Sequence, residues 1–143
     1  MATLINYGST LVAPNVGGAN IVFNGRVGST IATTSVNLDP ANPASFQNAR
    51  VELKANFGVQ VTTGVPRIIV RILKFGREIY NAEVGLEVSL GITENFYLFN
   101  ALALDGNTNL GVLNYQLALE NVDPTSAFTV VGPLIFTATA IGG

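Results

Sequence analysis

The chain has 143 residues, enough for one domain with a sizeable core, and charged side chains make up only 11% of it against 48% hydrophobic. That charge content is far below the usual ~25%, so Thr, Ser, Asn, Gln and Gly must build most of the surface, and protection against self-association is weak. The net charge of -2 and the scatter of the seven basic residues exclude a basic field for nucleic acid or a membrane-surface patch; the absence of His and Cys excludes disulfides, Ser-His-Asp and Cys-His nucleophiles and ordinary zinc sites.

The first eighteen residues, MATLINYGSTLVAPNVGG, carry no charged side chain. A secretory signal needs a positive start and a continuous apolar core of roughly 7–15 residues. Here the first basic residue is Arg26, and Asn6, Gly8, Ser9 and Thr10 interrupt the apolar runs. The segment is therefore expected to be retained, and the chain to be made in a cytoplasm without a signal peptide. Disordered tails are usually charged and poor in apolar residues. This one holds Leu4, Ile5, Tyr7, Leu11 and Val12, which predicts a strand. Ile5 and Tyr7 fall on one face of an extended chain, with Thr3 beside them, and Leu11 continues that face if Gly8 keeps the register. Pro14 ends ladder pairing, and Gly17 and Gly18 supply a hinge. Residues 1–18 thus read as a connector, and residues 19–143 as the domain that follows. The connector has three fates: disorder, pairing with its own domain as an edge strand, or crossing to complete the sheet of a neighbouring copy. The third is the leading expectation.

The body has period-two patterning nearly throughout. After ANIVF, Asn24-Gly25 signals a two-residue hairpin. Asp39-Pro40-Ala41-Asn42-Pro43 is a rigid loop, and one short turn fits Ala44 to Asn48. Arg50 to Phe57 alternates without error. Ile68 to Leu73 is β-branched-rich and reads as a central strand. Phe75-Gly76 and Asp105-Gly106 are further hairpin signals, while Gly64-Val65-Pro66 and Val122-Asp123-Pro124 are breaks. Leu113, Tyr115, Leu117 and Leu119 share one face. Leu134, Phe136, Ala138 and Ala140 alternate with Ile135, Thr137, Thr139 and Ile141, so both faces of that strand are expected to be covered. Eight to ten strands with no capped helical repeat predict an all-β fold: an antiparallel β-sandwich, jelly-roll in topology, with an extended N-terminal strand. No membrane-spanning helix is expected.

Residues that carry chemistry are sparse. Paired carboxylates for glycoside hydrolysis would come from Glu78, Glu83, Glu87 and Glu94, whose spacing is that of exposed strand and loop positions. The loop Asp105-Gly106-Asn107-Thr108-Asn109 offers oxygen ligands but one carboxylate, and calcium usually takes several; it reads as a turn. No phosphate-cradling motif is present, and no cofactor is expected. Tyr80, Phe96, Tyr97 and Phe99, with no Lys or Arg interleaved, read as core rather than a stacking platform for single-stranded nucleic acid. Residues 1–77 hold all seven basic side chains and two acidic ones, whereas residues 78–143 hold seven acidic and none basic. In a Greek-key sandwich the two halves interleave, so these charges are expected to become neighbours.

The stretches PRIIVRILKFGREIYNAEVGLEV (Pro66 to Val88), LNYQLALENV (Leu113 to Val122) and VVGPLIFTATAIGG (Val130 to Gly143) resemble the small jelly-roll proteins of endospore surfaces, the exosporium and endospore-appendage subunits. About half the chain carries the resemblance. It implies a non-enzymatic structural role, synthesis in the mother cell without a signal peptide, and polymerisation at the spore surface. The partners it implies are copies of the chain and a spore-surface anchor or tip protein. Without cysteine, covalent cross-linking of the kind found in disulfide-linked spore fibres is out of reach. The competing expectation is a closed homotrimer resembling tumour-necrosis-factor-like or C1q-like jelly rolls, presenting loops as a binding module.

Overall fold

The computed structural model describes residues 2–12, 19–85 and 95–143. The hinge pair Gly17 and Gly18, and the carboxylates Glu87 and Glu94, lie outside the described residues, as do the side chains of Leu11 and Val12. The described strands are β1 (Thr3–Val12), β2 (Ala19–Asn24), β3 (Val27–Leu38), β4 (Arg50–Thr63), β5 (Arg67–Lys74), β6 (Arg77–Gly85), β7 (Asn95–Asp105), β8 (Gly111–Asn121) and β9 (Ala127–Gly142), with one 3-10 turn at Pro43–Phe46. No helix among the described residues is long and apolar enough to cross a membrane.

The strands form two antiparallel sheets. The first runs β1-β9-β4-β7, with β2 also paired to β9, and the second runs β3-β8-β5-β6. Successive strands mostly change sheet, so hydrogen-bonded neighbours are far apart in sequence. This is the jelly-roll sandwich that the pattern predicts.

The core lies between the sheets and follows the period-two rule. Val51, Leu53, Ala55, Phe57, Val59 and Val61 of β4 point inward, as do Leu134, Phe136, Ala138 and Ala140 of β9. They meet Ile68, Val70 and Ile72 of β5 and Leu113, Tyr115, Leu117 and Leu119 of β8. Phe23 stacks on Phe128 at 4.7 Å between ring centroids, and Phe57 on Phe99 at 5.3 Å. Each such side chain contributes roughly 1.5–3 kcal/mol by leaving water.

Only one of the three hairpin signals makes a hairpin. Phe75 and Gly76 have φ of 49° and 77° and join β5 to β6 with Lys74 opposite Arg77, the left-handed geometry that a two-residue turn requires. Asn24-Gly25 instead carries the chain from the first sheet to the second: β2 pairs with β9 and β3 with β8. Gly25, at φ 72°, donates its N–H to the Ser126 carbonyl at 2.9 Å. Asp105-Gly106 likewise begins a crossing, from β7 to β8.

β9 holds one edge together. Its first part pairs with β2, from Asn24 opposite Ala127 to Ala19 opposite Gly132. Its second part pairs with β1, from Val12 opposite Leu134 to Thr3 opposite Gly142. Gly132, at φ 75°, and Pro133, which has no N–H to give, mark the change of partner.

The interleaving also settles the charge asymmetry. Arg67 pairs with Glu83, Arg71 with Glu78 at 3.3 Å and with Glu120 at 2.5 Å, and Lys74 with Asp105 at 2.8 Å. Each pair joins a base from the first half of the chain to an acid from the second. The Glu120 hydrogen bond holds the Arg71 guanidinium above its usual pKa, assisted by the charges of Glu120 and Glu78.

Candidate assembly surfaces

In the single chain, the N-terminal ribbon is an edge strand of its own sandwich, antiparallel to β9. Its register shifts between Leu4 and Asn6, and that bulge reverses which residues face inward. Ile5, at the bulge, packs partly against the core, while Leu4 and Tyr7 are exposed. The expectation that Ile5 and Tyr7 share one face is therefore corrected. Beyond the bulge, the polar residues Asn6, Gly8 and Thr10 face β3. Asn6 Oδ1 accepts the Asn37 N–H at 3.0 Å, and Thr10 Oγ1 donates to the Thr33 carbonyl. Between them, Gly8 lies so close to the Ser35 carbonyl oxygen that a Cβ would collide with it. The three contacts step along β3 in antiparallel order, so β1 closes the sandwich at this edge by touching both sheets. Thr3 lies opposite Gly142 and is exposed.

The outer faces of the two sheets differ in kind. Arg67, Arg71, Glu78, Glu83 and Glu120 lie on the second sheet. Glu78 and Glu83, candidates for paired catalytic carboxylates on spacing, are thus held in ion pairs with arginines. On the first sheet, β7 exposes Phe96, Leu98, Leu102 and Leu104 at alternate positions, Leu98 by 72% and Leu102 by 67%. Phe96 is therefore not a core residue; its ring covers the backbone at Gly58, where a Cβ would sit 2.7 Å from Phe96 Cζ. Tyr80, Tyr97 and Phe99 do pack against the core. Beside the leucines, on β4, stand Glu52 opposite Leu104 and Lys54 opposite Leu102.

Asp105 is buried, and its carboxylate is fully engaged. Oδ2 accepts the Tyr115 hydroxyl at 2.7 Å and pairs with Lys74 Nζ at 2.8 Å, while Oδ1 accepts the Asn107 N–H at 3.1 Å. Lys74 also donates to the Asn107 carbonyl. The loop whose oxygens resembled calcium ligands thus has its carboxylate turned toward a lysine and a tyrosine. A groove of about 670 Å³ runs from Gly8 and Ser9 past Ser35 and Asn114 to Phe75, and none of the described residues that line it is charged.

Burial, and then Asp105, hold the Tyr115 phenol well above its usual pKa. The unfolded chain ionises this tyrosine near pH ~10, while the folded chain keeps the proton. Its contribution to stability is therefore whole below that pH and falls above it, by about 1.4 kcal/mol per pH unit. Urea midpoints at rising alkaline pH are expected to drop more steeply for the natural chain than for Tyr115→Phe; equal slopes would contradict this account.

No family model matches the chain, and no curated protein matches it. Among solved structures it is similar to dimeric latent PorU from Porphyromonas gingivalis, at 12% identity and a TM-score of 0.47, over 96% of this chain and 13% of that one. It is also similar to the insecticidal delta-endotoxin Cry8Ea1 from Bacillus thuringiensis, at 14% identity and a TM-score of 0.47, over 85% and 20%. A third is infectious bursal disease virus, Gt strain, at 12% identity and a TM-score of 0.42, over 99% and 36%. The chain spans 13–36% of the length of these three structures. At such identities and scores the likeness carries nothing about activity, ligand or partner.

Proposed function

We propose that this chain is a non-enzymatic structural subunit that assembles with copies of itself into a spore-surface fibre or coat layer, with β1 crossing to complete the sheet of a neighbouring copy. The observation that carries the reading is how β1 is held. It is an edge strand, joined to β2 through residues 13–18, and each of its partners on β9 and β3 exists in identical form on every copy. Exchange of such an element keeps its ladder and its three β3 contacts while joining two molecules. Passed head to tail it gives an open filament rather than a closed pair. Main-chain bonds along β9 supply affinity, and Gly8 at its close approach fixes the register. Residues 1–18 act as the connector, with Gly17 and Gly18 as hinge. The spore-surface location, and an anchor or tip protein as further partner, rest on the resemblance of the three quoted stretches to endospore-surface subunits.

Deleting residues 1–17 tests this. Negative-stain microscopy is expected to show long uniform fibres for the full chain and none for the truncated one, whose far-UV circular dichroism keeps its β signature. Fibres that persist after the deletion would sink the reading.

A further inference from the structure

We infer that the outer face of the first sheet, centred on β7, is a second interface between copies of this chain, independent of β1. The placement of side chains on β7 is the reason. Its inward positions include Ala101 and Ala103, while its outward positions carry Phe96, Leu98, Leu102 and Leu104. A strand in a monomer turns its largest apolar groups inward and its small or polar ones out. β7 departs from this: its inward phase also carries Tyr97 and Phe99, so both of its phases are apolar, and it stands last in its sheet among the described strands, where an uncovered apolar strand invites association. Val22 on β2 adds to the same sheet's exposed apolar residues.

Size and charge identify the occupant. β7 has 11 residues, about 36 Å of strand, and with β4 and β9 beside it the face is about 14 Å wide. That is roughly 500 Å² per copy in projection, so two such faces bury about 1,000 Å², the threshold of a specific interface. Glu52 and Lys54 stand two residues apart on β4, beside Leu104 and Leu102. With Arg50 two positions before Glu52 on the same outward phase of β4, the described residues of this face carry both signs side by side. A strongly charged partner gains nothing from it, whereas a copy brings both signs and can set Lys54 against Glu52. A shallow recess of about 400 Å³ between these two residues and the paired leucines is open to apolar side chains from the copy.

The test uses the full chain and sedimentation velocity over a range of concentrations. The natural chain is expected to sediment as complexes of two or more copies. The variant L98E/L102E, altered at two solvent-facing positions, is expected to keep its circular dichroism and to associate roughly a hundredfold more weakly, because each contact would bury unpaired carboxylates. K54E is expected to weaken association as well, and E52K/K54E, which exchanges the two signs, to restore it. A natural chain that is monomeric throughout the range would overturn the proposal, as would an L98E/L102E profile identical to the natural one. Failure of β1 exchange shows up differently, as fibres that survive loss of residues 1–17.

Discussion

Asp105→Ala is expected to destabilise the fold by about 3–5 kcal/mol, the cost of leaving a buried charge without its partner. The side chains of Asp105 and Lys74 are only 6% and 13% exposed, so water does little to screen the loss. Lys74 would keep only the Asn107 carbonyl, and the Tyr115 hydroxyl, at the centre of β8, would have no acceptor. The same carboxylate also orders the start of the β7–β8 crossing through the Asn107 N–H. Against a total stability of about 5–15 kcal/mol, this leaves little margin, and a large fall in the urea midpoint is the expected measurement. The double variant K74M/D105A is expected to lose less than the two single variants summed, because the second change removes the charge that the first stranded. A loss of less than ~1 kcal/mol in Asp105→Ala would show that the network contributes little.

Gly8→Val is expected to lift β1 off β3. Its Cβ would fall on the Ser35 carbonyl, with Thr34 Oγ1 only 2.8 Å away, and both belong to a paired strand with little freedom to yield. β9 would then lose its β1 partner from Leu134 to Gly142 and keep β4 on its other side. Hydrogen exchange is expected to report this as a loss of about two to three orders of magnitude in protection at the alternate amides in that half of β9 that face β1, while those facing β4 keep theirs. The half paired to β2 keeps its protection. Ser9→Val, at the neighbouring exposed position, leaves both halves unchanged. Uniform loss over the whole of β9 would mean that the variant unfolds globally instead.

The jelly roll is legible in the sequence because β4, β8 and the second half of β9 alternate cleanly and large apolar residues choose one face. What escapes is set by interactions that a local pattern does not contain. Asn24-Gly25 and Asp105-Gly106 encode a change of chain direction, but not which sheet receives the next strand. The reversed face of β1 follows from a single bulged residue, Ile5. In β7 both phases are apolar, Tyr97, Phe99, Ala101 and Ala103 against Phe96, Leu98, Leu102 and Leu104, so periodicity alone gives no inside. Only the sandwich as a whole, with Phe57 stacked on Phe99, fixes the phase. The Asp105–Lys74–Tyr115 network joins residues from three strands, and its one local sign is an aspartate at the mouth of a turn.

The pairing of Thr3 with Gly142 has a consequence for biogenesis. A ribosome makes β1 well before its partner, with Thr3 139 positions ahead of Gly142, so the strand waits through the synthesis of all that lies between before its ladder is available. Folding of this topology is therefore slow. For the exchange proposed above, a polysome, where nascent chains crowd together, offers the waiting ribbon the finished β9 of an older chain before its own exists.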